Sequence, residues 1–299
     1  MAVGDGCLTI SDGMMECVLA PGCGGSVVRL SLATPNGPFD VMRPSAPAAL
    51  RPCEPLDLAC FPMTPFSNRI AFGRLRYGGG TVELPVNRPP LPHPIHGHGW
   101  LLAWQVEARD AHSATLAYRH SGDAWPWAYR ARQRFALHDG ALVVDIEIHN
   151  ESDGAMPAGF GLHPYFPKPP GTRLTAEVAA VWINDGAHIP DHRTPPPAQW
   201  DFTRGILMDD TVLDNGFTGW TGRARIDWPE GRALEIEADG AFTHLIVYAP
   251  PGQPWFCVEP ASHMIDAFNR AAGGEPGTGA ITLAPGARCG GRVVFRTAR

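Results

Sequence analysis

The chain carries a single lysine, Lys168, in 299 residues, and 24 basic against 30 acidic side chains give it a net charge of −6. No basic run is available to track a nucleic-acid backbone, so nucleic acid is not expected as a partner. A phosphate dianion needs several charge-assisted donors or a helix N-terminus; this sequence has one lysine and no long helix, and of its arginines only Arg69 lies inside a motif singled out below. No segment approaches the roughly 18 uninterrupted apolar residues that a membrane-crossing helix requires. The opening MAVGDGCLTISDG lacks a positive n-region followed by an apolar stretch, so the expectation is an unexported, cytoplasmic protein with no membrane partner. Seven cysteines, Cys7, Cys17, Cys23, Cys53, Cys60, Cys257 and Cys289, contain no C-x-x-C pair. They read as reduced, mostly buried thiols rather than a zinc or dithiol centre. A G-x-S-x-G elbow, a Walker loop and a dinucleotide fingerprint are missing too, which removes the commonest hydrolase and nucleotide chemistries.

Helical periodicity is also scarce. No stretch of twelve or more residues holds a 3.6 period, and the best short candidate, 264–272, offers a turn or two. What the chain has instead is 34 glycines and 31 prolines, natural for many strands joined by turns. In 142–148, LVVDIEI, Leu142, Val144, Ile146 and Ile148 share one face while Asp145 and Glu147 share the other, the period-two mark of a half-buried strand. Ala224, Ile226 and Trp228 alternate with Arg223, Arg225 and Asp227, and 234–238 follows after Pro229-Glu230-Gly231, so this pair reads as a hairpin. Further strands are expected at 15–20, 26–32, 101–108, 114–119, 129–137, 244–249, 255–258, 280–283 and 292–296. The Pro-rich segments 87–94 and 190–197 read as long loops. With no repeat and no linker, the expectation is all-β: one large antiparallel β-sandwich domain spanning 1–299.

The stretch 155–167, AMPAGFGLHPYFP, sets His163 among small, aromatic and proline residues. There its pKa can be moved across neutrality by whatever stands opposite, which suits proton transfer. A core histidine satisfied by a carbonyl would look the same, so the other motifs carry the decision. In 255–262, WFCVEPAS, Glu259 closes an apolar strand, and beside a histidine it would complete an acid/base pair. In 65–73, PFSNRIAFG, Asn68 and Arg69 offer donors suited to sugar hydroxyls or carboxylates, with a structural ion pair as the alternative. His96-Gly97-His98-Gly99-Trp100 allows close backbone approach of a ligand, with Trp100 as a stacking face. Its H-x-H pair has no third ligand nearby in sequence, so no metal is assigned. In 213–220, LDNGFTGW, Asp214 precedes a Gly-containing turn and can be a ligand or an Asx-turn residue.

NRIAFG, His96-Gly97, GLHPYF, LDNGFTGW and VEP occur in the order and approximate spacing of the aldose 1-epimerases, or galactose mutarotases, and the sequence resembles that family from about residue 14 to 296. The resemblance implies the large galactose mutarotase-like β-sandwich. It implies His163 as the general acid that protonates the sugar ring oxygen and Glu259 as the general base at the anomeric hydroxyl. Asn68, Arg69, His96 and Asp214 would hold the sugar, with no metal and no cofactor. The chemistry agrees with these residue types, since opening a hemiacetal needs one acid and one base and no nucleophile. Related hexose-6-phosphate epimerases carry HGFAR, and Trp100 stands here where their arginine would. Whether Arg74 and Arg76 turn toward the pocket is left open by the sequence. The expectation is therefore a mutarotase acting on a free aldose, as a monomer or homodimer. The alternatives are a hexose-6-phosphate epimerase and a carbohydrate-binding sandwich without turnover.

Overall fold

A computed structural model describes residues 6–50 and 52–298. Among them lie two large sheets in which every strand pairing is antiparallel. The first runs, edge to edge, through Leu8–Ser11, Met15–Ala20, Ser26–Leu32, Cys60–Met63, Gly161–Pro167, Trp255–Ala261, His244–Ala249, Leu213–Thr218, Ala180–Asn184 and Pro190–Thr194, with Phe39–Asp40 beside Ser26–Leu32. The second runs through Ile206–Leu207, Arg173–Ala176, Arg223–Trp228, Arg232–Ala238, Arg288–Ala298, Ala141–Asn150, Tyr129–His138, Ser113–His120 and Gln105–Arg109. The all-β sandwich expected from the alternation is the fold observed.

The second sheet shows why the alternation was readable. Leu142, Val144, Ile146 and Ile148 are all buried against the first sheet, whereas Asp145 and Glu147 point outward to Arg292 and Arg288. Phe166 of the first sheet meets Phe295 of the second at 6.4 Å between ring centres, which places the apolar core between the layers. Burial of such aromatic and aliphatic surface is the main drive for closing the sandwich.

The middle of the first sheet differs. Cys60–Met63 is buried throughout, and so is Gly161–Pro167 up to Phe166, because its outer face is roofed as well. Phe61, Met63, Ile95, Trp100, Tyr165 and Cys257 form a second apolar cluster there, separate from the inter-sheet core. A strand covered on both faces loses alternation and reads as a continuous apolar run. The doubly covered strands are the ones that carry His163 and Glu259.

Several local expectations need correction. Pro190–Thr194 is a strand, not a loop: it pairs with Ala180–Asn184 at the sheet's edge, where a proline at the first position costs no ladder bond. Leu213–Thr218 is likewise a strand, so Asp214 is not a turn residue. The expected strand at 101–108 occupies Gln105–Arg109, and the helical segment is Ala267–Ala272. The hairpin forms as read, joined by the 3₁₀ turn Pro229–Gly231. Cys23 and Cys53 form a disulfide with Cα atoms 5.5 Å apart, which overturns the all-reduced reading and removes the support it gave to a cytoplasmic location. Among the described residues no helix is long and apolar enough to cross a membrane.

Burial on this scale includes histidines. Burial pushes His163 down to about 3 and His98, His244 and His263 to about 4, with neighbouring histidines adding to the effect at His98 and His244. Each is depressed relative to the unfolded chain, so between about pH 6.5 and 4 the unfolded state binds more protons and stability falls as pH falls. Glu259 and Asp266, raised by burial, act in the opposite sense above their ordinary values, but they are two groups against five, since burial depresses His96 as well. The unfolding free energy should therefore fall from pH 6.5 to 4 by about 1.4 kcal/mol per pH unit for each extra proton the unfolded state binds, and the thermal midpoint should drop with it. A flat midpoint over that range would show that these histidines are protonated in the folded protein.

Candidate active site

Strand register brings the two titratable residues together. Gly161 pairs with Ala261 and Tyr165 with Cys257, so His163 falls opposite Glu259 on the outer face of the first sheet. His163 Nε2 lies 3.3 Å from Glu259 Oε1, and both side chains are almost wholly buried. Phe61, the cross-strand partner of His163, stacks on its imidazole at 4.4 Å, and Tyr165 stacks at 4.8 Å. The rings fix the imidazole plane and keep water from it.

Burial acts oppositely on the two partners. It drives His163 down to about 3, with the Arg43 guanidinium, packed over Tyr165 at 3.8 Å, pushing the same way. It drives Glu259 well above the usual carboxyl value, the Asp214 carboxylate adding to the rise and the Arg69 guanidinium opposing it. Both effects favour neutral forms, so the pair holds one mobile proton whose place depends on the charges around it. Among the described residues Glu259 Oε2 and His163 Nδ1 have no hydrogen-bond partner.

The loop residues assemble around this pair. Two short bridges, Thr64 to Gly97 and Arg69 to Ile95, zip the NRIAFG loop to the His-Gly loop. The His96 N–H donates to the Asn68 carbonyl, and the Asn68 N–H donates to His96 Nδ1 at 3.1 Å. With Nδ1 fixed as an acceptor, the imidazole carries its proton on Nε2 and stands edge-on to His163 at 5.1 Å between centres. Burial first, then His163 and Arg69, hold His96 well below the usual histidine value, so it is a neutral donor. Arg69 donates to Asn68 Oδ1 and to Asp214 Oδ2, both at 3.2 Å, and Asp214 Oδ2 also faces His188 Nδ1 at 3.3 Å. Asn68, His96 and His188 all adopt left-handed backbone, uncommon away from glycine and often concentrated where a site is held in place. At Gly97 a Cβ would strike the Thr64 carbonyl, so glycine is required there.

The structure thus collects all six residues singled out in the sequence: His163, Glu259, Asn68, Arg69, His96 and Asp214. Arg69 and Asp214 form one wall of a cleft of about 660 Å³, also lined by His93, His188, Trp200 and Tyr248, which is ample for a small organic molecule. One aromatic expectation is corrected. Trp100 is fully buried, its indole N–H donating to the Gly97 carbonyl, so it is not a stacking face for a ligand, and Phe217 of LDNGFTGW packs on Phe202 in the core. His96 and His98 do not converge: His98 stacks instead on His120 at 4.4 Å. Sequence reasoning missed His188, Tyr248 and Cys257, although period two along 255–261 already put Cys257 on the face of Glu259. It also missed Asn87, whose amide donates to the carbonyls of Ile95 and Gly97 and accepts from the Ile95 N–H, holding the His96 loop through three bonds.

An antiparallel sandwich of two large sheets with a buried imidazole–carboxyl pair beside a cleft belongs to the class of galactose mutarotase-like folds. The aldose 1-epimerase family profile matches residues 6–296, and the chain belongs to that family. An uncharacterized protein, YphB, of Escherichia coli strain K12 is 34% identical over 239 residues, covering 77% of this chain and 80% of its own. A crystal structure of an aldose 1-epimerase candidate from Escherichia coli K12 superimposes with a TM-score of 0.88 at 29% identity over 98% of each chain. A galactose mutarotase-like protein from Clostridium acetobutylicum, 17% identical, shares the fold with a TM-score of 0.86 over 98% of this chain and 95% of its own.

Asn87→Ala removes three bonds and takes from the buried Ile95 both the acceptor of its N–H and the donor to its carbonyl, while the Gly97 carbonyl keeps the Trp100 indole N–H, which should cost about 2–4 kcal/mol. A fall of several degrees in the thermal midpoint is expected, and an unchanged midpoint would mean that the His96 loop holds itself without the clamp.

Proposed function

We propose that the chain is an aldose 1-epimerase that interconverts the α and β anomers of a free aldose. The observation that carries this reading is the 3.3 Å approach of His163 Nε2 to Glu259 Oε1 in a water-poor, aromatic-walled site. The anomeric oxygen and the ring oxygen of a pyranose are separated by a single carbon, so neighbouring groups can serve both at once. Glu259 takes the anomeric proton while His163 delivers one to the ring oxygen, and the C1–O5 bond opens to the free aldehyde. Rotation about the C1–C2 bond and closure on the other face, with the two residues exchanging roles, completes the interconversion. Arg69 supports this charge distribution, since its guanidinium favours the ionised carboxylate that burial opposes. His96, donating from Nε2, and the Arg69–Asp214 pair would hold ring and hydroxyl oxygens.

Substrate charge follows from the arginines. Arg74 is paired with Glu83 at the surface and Arg76 is anchored to the carbonyl of Asn269, so neither is placed to receive a phosphate at this cleft. That argues against the hexose-6-phosphate alternative. A binding module would gain nothing from burying a matched acid and base, whose desolvation is costly, which argues against the non-catalytic alternative.

Polarimetry of freshly dissolved α-D-galactose and α-D-glucose tests the reading. Mutarotation should accelerate, and His163→Asn or Glu259→Gln should each lower kcat by about 100-fold or more; near-normal turnover in both variants would end the mechanism. Arg69→Ala and His96→Asn should change KM as well as kcat, since they remove bonds made in the ground state too.

In a competition assay the free hexose should be favoured over its 6-phosphate by at least about tenfold in kcat/KM. Preference for the phosphate would reverse the choice between epimerases. Because the pair both accepts the anomeric proton and delivers one to the ring oxygen, exhaustive EDTA treatment should not lower the rate, and loss restored by one divalent metal would overturn this.

A further inference from the structure

Ring opening by His163 and Glu259 has no use for sulfur, yet a cysteine stands beside them. Cys257 and Glu259 lie two apart on Trp255–Ala261 and share a face, and His163 projects from the neighbouring strand onto the same spot. A nitrogen of His163, the sulfur of Cys257 and an oxygen of Glu259 all lie within 4.8 Å of one another. These are imidazole, thiolate and carboxylate, the three donor types that zinc accepts in tetrahedral sites. The 3.3 Å between His163 Nε2 and Glu259 Oε1 matches the ends of two arms of about 2.1 Å at a tetrahedral angle. A sulfur on an arm of about 2.3 Å would sit about 3.6 Å from each, so at most about 1.2 Å of closure is required of the Cys257 side chain. Among the described residues the buried Glu259 Oε2 has no hydrogen-bond partner, which leaves a second carboxylate oxygen for a cation.

We propose that His163, Cys257 and Glu259 form a three-ligand site for a thiophilic divalent cation of the zinc class, and that occupancy of this site withdraws the acid/base pair from proton transfer. This goes beyond the epimerase reading, in which the same pair works without metal. On binding, the thiol and any protonated carboxyl release their protons to solvent, while the imidazole coordinates as a neutral base, so two anionic ligands balance the dication. The fourth position is left to water or a sugar hydroxyl. Magnesium, which prefers six oxygens at octahedral geometry, fits poorly.

Cobalt(II) is the probe, because thiolate ligation gives it a near-ultraviolet charge-transfer band and tetrahedral geometry gives it intense visible bands. Metal-free protein, prepared with chelator, is titrated with cobalt chloride in the absence of sugar. One equivalent should bring up both sets of bands, zinc should bleach them, and magnesium should do neither. Cys257→Ala should lose the charge-transfer band, and His163→Asn should lose the tetrahedral visible bands, so the assignment survives if one variant fails to fold. No band at tenfold excess cobalt, or bands kept in both folded variants, would overturn the site. In the mutarotation assay zinc should inhibit the wild type reversibly with EDTA, and Cys257→Ala should need at least tenfold more zinc; equal sensitivity would overturn the inhibitory role. Because the cobalt spectrum is read without sugar, a chain that binds cobalt but does not epimerise would keep this site and remove the epimerase reading instead.

Discussion

The structure depends on covering both faces of one trio of strands. Cys60–Met63, Gly161–Pro167 and Trp255–Ala261 lie in the middle of the first sheet, with the second sheet behind them and a roof of loop residues in front. Two ionisable side chains placed in that second, outer core are deprived of water, and what remains to set their charge is each other and a few fixed groups. In a one-sided sheet the same His163 and Glu259 would be solvated and would titrate near their ordinary values. The aromatic layer of Phe61, Tyr165 and Trp100 is therefore an electrostatic device as much as a packing one: it lowers the local polarity that makes a single proton transferable.

The roof needs precise loops, and the chain holds them with backbone bonds more than with side-chain packing. Thr64 accepts from the N–H groups of both His98 and Gly99, Asn87 clamps Ile95 and Gly97, and Asn68 and His96 exchange hydrogen bonds. Left-handed conformations at Asn68 and His96 are the cost of turning both loops inward over the sheet. Buried loop segments are tolerable only when such bonds satisfy their polar groups. The Pro-rich segment 87–94, legible in the sequence only as a loop, gains a purpose here because it delivers Asn87.

The sandwich itself was legible, since strands such as Ala141–Asn150 are covered on one face and alternate. The juxtaposition of His163 and Glu259, proposed as acid and base, was anticipated because GLHPYF and VEP are unusual strings as well as strands. What could not be read was the second covering. Trp100 looked like an exposed stacking face because aromatic residues in loops usually meet solvent or ligand, yet its loop is folded down onto Phe61. The turn reading of LDNGFTGW failed because the segment is an interior strand that sends Phe217 to the core and Asp214 to the cleft. The Cys23–Cys53 bridge spans 30 residues, and nothing in the spacing of seven cysteines singles out that pair. Pro190–Thr194 was hidden by its prolines, which an edge strand tolerates and a central one does not.

Charge at the mouth of the site completes the argument. Asp214 lies between Arg69 and His188, so its carboxylate is already engaged, while it also raises Glu259 through space. Arg69 pulls Glu259 the other way. A sugar hydroxyl that donates to Asp214 and accepts from Arg69 would enter this balance at its most sensitive point, because a small change in either charge moves the proton between Glu259 and His163. The groups that would recognise the ligand are thus also the groups that set the protonation of the pair. A site built this way couples binding to proton position through distance and dielectric alone, with no moving part required.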